Sequence, residues 1–136
     1  NEMTEVCRKD LIHPELSYEI VGAAFSVYNQ LGFGHKEVYY QRALAEEFKK
    51  INIKFEREKQ ILLEYDGKQI GKYILDFVVD GKIIVELKVR PRLGYTDIKQ
   101  VKSYLKSSNF RLAILIYFLK DKVSYRRILN AETKRN

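Results

Sequence analysis

The sequence is poor in the residues that mark disulfide-stabilised, secreted or membrane-spanning proteins. Its 136 residues include one cysteine, two prolines and no tryptophan. The single Cys7 excludes an internal disulfide and supplies no cysteine cluster for a metal. No apolar run approaches the roughly 18 residues of a membrane-spanning helix, and the first residues lack a basic segment followed by an apolar one. These absences predict a soluble, cytoplasmic protein.

Acidic residues are scarce in the second part of the chain. Residues 82–136 carry 14 Lys and Arg against 4 Asp and Glu, whereas residues 1–81 carry 11 against 14. The net charge of +7 therefore resides in the second part. Such an excess favours a polyanionic partner such as nucleic acid, although lysines that only keep a small protein soluble would give the same count.

The length and the mixed composition predict one globular domain, which we place at residues 13–130. Residues 1–12 are polar and mixed, and we expect a poorly ordered N-terminal lead-in there. Residues 131–136 form a polar C-terminal tail.

The order of helix and strand patterns predicts a mixed α/β fold. Apolar residues at helical spacing predict helices at about residues 14–31, 35–51 and 96–106, the last with Thr96 as N-cap. Strand patterns fall at residues 55–65, 69–79, 83–89, 112–118 and 123–129. The resulting α-α-β-β-β-α-β(-β) order predicts a mixed sheet flanked by helices, in which an antiparallel β-meander is extended by a parallel crossover strand.

Three charged residues interrupt the apolar runs Tyr73–Val79 and Ile83–Val89 on either side of the Asp80-Gly81 turn. Asp76 lies in the second strand, and Glu86 and Lys88 lie two residues apart on one face of the third. Charged groups in strands buried on both faces are costly unless they are paired, hydrogen-bonded or bound to a metal. The pattern therefore predicts a phosphodiesterase site that uses a divalent cation, with Lys88 acting on the attacking water. The alternative is a structural ion pair with one further carboxylate.

The register of the hairpin between these strands sets a geometric condition for that site. A two-residue Asp80-Gly81 turn would place Asp76 and Glu86 on opposite faces, because a one-residue slip inverts every side chain. A three-residue loop, Val79-Asp80-Gly81 with Gly81 left-handed, would place them on the same face. The metal-site hypothesis therefore predicts an odd loop or a bulge between the two carboxylates.

Two helices carry further candidates. The inward stripe of the second helix runs from Tyr40 to Ile51 and extends back by one turn to Glu37, although Glu37 would equally complement the positive helix N-terminus. The third helix carries Gln100 and Tyr104 one turn apart, which would also suit an ordinary half-exposed helix edge. The basic residues expected to contact phosphate groups are Lys36, Arg90, Arg92, Lys99 and Lys102.

Taken together, these motifs resemble the GxxExxY protein family of the PD-(D/E)xK nuclease superfamily. The matching motifs are Gly34-x-x-Glu37-x-x-Tyr40, Leu75-Asp76, Val85-Glu86-Leu87-Lys88 and Gln100-x-x-x-Tyr104-Leu105. The resemblance covers roughly residues 19–128. One departure is His35-Lys36, where relatives carry apolar residues; it leaves the ligand positions intact and adds a basic contact near the substrate or has no role.

The resemblance implies a restriction-endonuclease-like core and a nuclease that depends on Mg²⁺ or Mn²⁺. It implies metal ligands at Glu37, Asp76 and Glu86, and we expect the Leu87 carbonyl to join them. It also implies catalysis by Lys88 together with Asp76 and Glu86, support from Gln100, and substrate contacts at Tyr40 and Tyr104. DNA is favoured over RNA as substrate, and no membrane partner is expected. The alternative is a non-catalytic nucleic-acid-binding or protein-binding module that retains the fold.

Overall fold

The computed structural model describes residues 12–131, and every predicted helix and strand is present there. The helices are α1 (Pro14–Leu31), α2 (Glu37–Lys50) and α3 (Tyr95–Lys106). The strands are β1 (Phe55–Tyr65), β2 (Lys68–Val79), β3 (Ile83–Val89), β4 (Leu112–Phe118) and β5 (Val123–Leu129). The predicted lead-in and tail lie outside the described residues, apart from Ile12 and Ala131.

The strands form one sheet in the order β1-β2-β3-β4-β5. β3 and β4 are parallel, and the other neighbouring pairs are antiparallel. Helix α3 supplies the crossover that a parallel pair requires. The predicted meander with a parallel extension is therefore confirmed, and the candidate last strand is real.

The two faces of the sheet are covered by different helices. One core combines α1 and α2 with side chains from β2, β3 and β4, including Ile20, Leu44 and Phe48. The other core combines α3 with the opposite face, including Val101 and Leu105. Every residue of β4 is buried because this strand is covered on both sides. No helix among residues 12–131 is long and apolar enough to cross a membrane.

The turn between α1 and α2 fixes where α2 begins. Gly32 and Gly34 have positive φ values of 66° and 116°, a conformation that favours glycine. Tyr40 is fully buried, and its hydroxyl donates to the Gly32 carbonyl while its ring stacks on Phe118. This contact ties the turn to the core and places Glu37 at the first position of α2.

Two local predictions are wrong. Ile51, expected at the end of the inward stripe of α2, is 43% exposed because the helix ends at Lys50. Thr96, expected as the N-cap of α3, lies inside the helix, which begins at Tyr95 after Gly94 and has no side-chain cap.

Candidate active site

Asp76 and Glu86 face each other where β2 and β3 separate. The ladder pairs Val79 with Ile83 and ends with Phe77 opposite Val85. One further step in that register places Asp76 opposite Glu86. Beyond this point β2 pairs only with β1, and β3 pairs only with β4. The two carboxylates therefore lie at the fork between two strands.

At the fork, carboxylates replace the ladder hydrogen bonds. The backbone N–H of Asp76 donates to Oε2 of Glu86 at 2.7 Å, and the backbone N–H of Leu87 donates to Oδ2 of Asp76 at 2.9 Å. Each side chain thus satisfies a backbone donor of the opposite strand, which a separating pair would otherwise leave unpaired. This exchange fixes both carboxylates close together.

The loop that sets this register has three residues, Asp80–Lys82. Asp80 and Gly81 have left-handed φ values of 53° and 64°, and the Lys82 N–H donates to the Val79 carbonyl at 2.9 Å. The predicted odd loop is confirmed. Its members lie one residue later than predicted, because Val79 still belongs to the ladder.

A backbone distortion in β1 accompanies the fork. Glu58, the residue of β1 that stands opposite Asp76, has a φ of 54°, and the ladder omits this pair. A left-handed conformation is costly for a glutamate inside a strand. Phe77 packs in the α1–α2 core and Leu75 in the α3 core, although residues two apart share a face in a regular strand. β2 therefore turns over at Asp76.

Burial makes the two carboxylates hard to ionise together. Glu86 is only 2% exposed, and burial, with a further contribution from the charge of Asp76, raises its pKa to about 8. Burial also raises the pKa of Asp76, aided by the charge of Glu37 and opposed by the Leu87 N–H, Lys88 and Arg57. Adjacent carboxylates in a dry site need a nearby cation to be charged at the same time.

Three more predicted residues border this pair. Glu37 is half-buried in the first turn of α2, and its charge acts on both carboxyl groups. Lys88 is half-buried two residues beyond Glu86 in β3. Tyr104 is buried in α3 with its ring 4.9 Å from that of Tyr73; burial, then the charges of the two carboxylates, raise its pKa to about 12. The Tyr104 hydroxyl therefore stays protonated.

Gln100 is exposed on α3, one turn before Tyr104. Leu87 is fully buried, and its N–H is bound to Asp76. The roles of the Gln100 side chain and the Leu87 carbonyl stay predictions.

The donor set suits a hard divalent cation, but the side chains are not arranged around one. No group of three His, Cys, Asp or Glu side chains within residues 12–131 converges as a ready-made metal site. One oxygen each of Asp76 and Glu86 accepts a backbone N–H. Carboxylate oxygens are nevertheless the ligands that Mg²⁺ prefers, and a cation would offset the cost of burying two acids. Glu37, Asp76 and Glu86 would hold it after a side-chain adjustment.

The predicted substrate contacts separate into three groups. Tyr40 is fully buried and bonded to Gly32, so its placement gives it a structural role and does not support a contact with substrate. Arg90 forms an ion pair with Asp97 at 3.0 Å. The exposed basic residues are Lys36, Arg92, Lys99 and Lys102, and their phosphate contacts stay predictions.

Sequence reasoning missed Asp97, at the start of α3, and Arg57, whose charge acts on the fork. Asp97 is a buried acid in the first turn of α3, and only the nearby Arg90 hinted at an ion pair. Arg57 lies in β1 opposite Phe77, and its charge acts on Asp76. The alternating polar pattern of β1 gave Arg57 no distinction from its exposed neighbours, because the approach of α2 is a tertiary feature.

Comparisons with known proteins agree with the fold. A solved structure titled "Crystal structure of SSO0001" is 15% identical, with a TM-score of 0.51 over 90% of this chain and 80% of that chain. At this identity, the likeness shows the fold alone. No curated protein matches the sequence. Residues 14–128 match the sequence model described as PD-(D/E)XK nuclease superfamily. The fork of facing carboxylates followed by a lysine thus stands in a chain that belongs to the PD-(D/E)XK nuclease superfamily.

Proposed function

We propose that this protein hydrolyses phosphodiester bonds of nucleic acid, DNA in preference to RNA, with Mg²⁺ or Mn²⁺ held by Glu37, Asp76 and Glu86. The observation that carries the proposal is the pair formed by the buried Glu86 and the half-buried Asp76, which has no ion-pair partner among the described residues and has Lys88 beside it. Superfamily membership supports the reaction class. Membership of the GxxExxY family within it stays a prediction.

Each residue at the fork has a distinct part in the proposed reaction. When bound, the cation would neutralise charge on the phosphate and activate water. Asp76 and Glu86 would hold the cation with side chains that are already restrained by hydrogen bonds from backbone N–H groups. The Leu87 carbonyl would be a further oxygen ligand. Lys88 would orient the attacking water and stabilise the charge that develops on the phosphate.

The third helix and the basic surface would bind the substrate. Gln100 and the protonated Tyr104 lie one turn apart on α3 and would orient the water and the substrate strand. The exposed Lys36, Arg92, Lys99 and Lys102 would contact phosphates along the strand. Such contacts make binding weaken as salt rises, because counterions are released from the nucleic acid.

The direct test is cleavage of a mixed panel of DNA and RNA by wild type, Lys88→Ala and Asp76→Ala. We expect wild type to cleave in Mg²⁺ or Mn²⁺ and to stop on chelation. Each variant should lose roughly 10²–10⁴-fold in rate, the range for a group that moves or orients a proton. Lys49→Met, at the exposed far end of α2, is the matched control and should cleave like wild type. Equal cleavage by all four proteins would point to a contaminant or to a different site.

The second candidate is a binding module that retains the fold without turnover. The absence of a preformed three-carboxylate group within residues 12–131 favours it. It predicts no cleavage with any divalent metal and salt-sensitive nucleic-acid binding that survives Glu86→Gln.

A further inference from the structure

Arg57 is held beside the fork by two contacts. Its Nη2 donates to Oε1 of Gln41 at 3.1 Å, and its Cζ lies 5.4 Å from the centroid of the Phe77 ring. Gln41 lies one turn after Glu37 on α2, and Phe77 is the residue after Asp76. The guanidinium therefore sits between α2 and β2, and its charge acts on Asp76, one of the three proposed metal ligands.

The charge of Arg57 has no acidic partner in contact. Within the described part of the chain, no Asp or Glu forms an ion pair with it. Its Nε is buried and has no hydrogen-bond partner. Buried donors are nearly always bonded, so an unused one calls for an explanation. The other half-buried arginine close to the site, Arg90, has its full ion pair with Asp97.

The surroundings of Arg57 suit an oxyanion that enters from solution. The ring of Phe77 and the neutral Gln41 orient the guanidinium without neutralising it. Arginine presents its N–H donors in a rigid planar group whose spacing matches the oxygens of a phosphate. A carboxylate partner from the chain would occupy those donors permanently, and none is provided.

We propose that Arg57 binds a phosphate oxygen of the nucleic-acid substrate beside Asp76. This inference rests on the proposed function, because the phosphate must lie at the Asp76–Glu86 fork for Arg57 to reach it. Gln41 is then a positioning residue that holds the guanidinium in place. The exposed lysines and arginines guide the strand, whereas Arg57 contacts the phosphate group at the fork itself.

The experiment compares Arg57→Met and Arg57→Lys with the charge-loss control Lys49→Met. Affinity for a fluorescently labelled DNA duplex with single-stranded tails is measured in Ca²⁺, and affinity for an RNA duplex of the same sequence and tails is measured in parallel. Mn²⁺ affinity is measured without nucleic acid, and cleavage is measured in Mn²⁺.

We expect Arg57→Met to weaken nucleic-acid binding about 10- to 100-fold, the value of a hydrogen-bonded charge. Arg57→Lys should lose less nucleic-acid affinity than Arg57→Met, because lysine keeps the positive charge although it lacks the paired N–H donors of the guanidinium.

Mn²⁺ affinity should not fall in either Arg57 variant, because loss of a positive charge beside Asp76 does not weaken cation binding. A merely structural role would lower Mn²⁺ affinity together with nucleic-acid binding. Nucleic-acid affinity equal to that of Lys49→Met, or a parallel loss of Mn²⁺ affinity, would overturn the inference. If Arg57→Met does not fold, as judged by thermal unfolding, Arg57→Lys decides the outcome.

The result also separates this inference from the proposed function. A wild type that binds through Arg57 but cleaves nothing would refute the nuclease and retain the phosphate contact. Wild-type cleavage with Arg57 variants that behave like the control would refute the contact alone. A wild type that neither binds nor cleaves would refute both.

Discussion

Two buried acidic sites on the α3 side of the sheet differ in how their charge is balanced. Asp97, in the first turn of α3, forms an ion pair with Arg90 at 3.0 Å. Glu86 is buried more deeply, and the charge that acts on it most strongly is that of a second acid, Asp76, on the adjacent strand. One acid is neutralised by the chain itself, whereas the other pair is not.

This difference indicates which acid stabilises the fold and which acids we expect to bind a metal, without reference to related proteins. An acid with its own arginine needs nothing further, and its ion pair ties the start of α3 to the end of β3. Two adjacent acids, one buried and one half-buried, lower the stability of the fold unless a cation joins them. The unbalanced pair is therefore the one that we expect a metal to complete.

The largest expected effect is an opposite change in stability when each acid is neutralised. Asp97→Asn leaves Arg90 without its charged partner and should lower the free energy of unfolding by about 1–3 kcal/mol. Glu86→Gln keeps an oxygen for the Asp76 N–H and needs no proton to be neutral in the folded chain, whereas Glu86 must take one up on folding near neutral pH; the substitution should therefore raise the stability of the metal-free protein there. Urea unfolding in the presence of a chelator measures both changes.

Added Mn²⁺ is the internal control for this pair. It should stabilise wild type and Asp97→Asn alike, because ligands that bind only the folded state raise its stability. Glu86→Gln should gain much less. If Glu86→Gln lowers the stability of the metal-free protein as much as Asp97→Asn does, Glu86 is a structural residue and the contrast fails.

The fold could be predicted from the sequence wherever a sequence pattern is compatible with only one structure. The apolar run of β4 could only be a strand covered on both faces, and the turn residues Asp80 and Gly81 bounded the hairpin. The parity condition on Asp76 and Glu86 held because side chains alternate strictly along a strand.

The details that could not be predicted from the sequence depend on tertiary contacts. Glutamate does not favour left-handed backbone, so no local signal marked the distortion at Glu58. Tyr40 fits both a motif tyrosine that reaches the substrate and a core tyrosine, and its burial and its bond to Gly32 favour the second. The reciprocal bonds at the fork required the separation of β2 from β3, which the strand patterns do not encode.

A smaller effect is expected in the pH dependence of stability. Burial raises the pKa of Glu86 from 4.5 to about 8, so between these values the folded chain holds a proton that the unfolded chain has lost. This contribution to stability is complete below about 4.5 and is lost as the pH rises through about 8. Unfolding of the metal-free protein across this range should show a decline in wild type and Asp97→Asn.

Glu86→Gln should remove most of the decline in stability with rising pH. In wild type, Mn²⁺ should offset the decline at the alkaline end, because metal ligands must be deprotonated. A decline of equal slope in Glu86→Gln would assign the titration to another group. A steeper decline in Asp97→Asn than in wild type would show that the two acidic sites are coupled.

The smallest expected effects concern the tyrosine beside each acid. Tyr104 borders the unbalanced pair, which together with burial raises its pKa to about 12, so its hydroxyl can donate to the substrate or the attacking water. Tyr117 borders Asp97, and its hydroxyl donates to the Gly94 carbonyl at 3.0 Å. Tyr104→Phe should slow cleavage about threefold to tenfold with unchanged stability. Tyr117→Phe should lower stability by about 1 kcal/mol and leave cleavage unchanged.

Cleavage rates and urea unfolding of both variants, measured side by side, therefore test the comparison at its most sensitive point. Both rings keep their packing in phenylalanine, so each change isolates one hydroxyl. A loss of stability in Tyr104→Phe with normal cleavage would mean that this hydroxyl serves the fold, and the unbalanced site would then lack a donor from α3 other than Gln100. A loss of cleavage in Tyr117→Phe would mean that the Asp97–Arg90 pair positions α3 for the reaction, because the Tyr117 hydroxyl holds the start of that helix at Gly94.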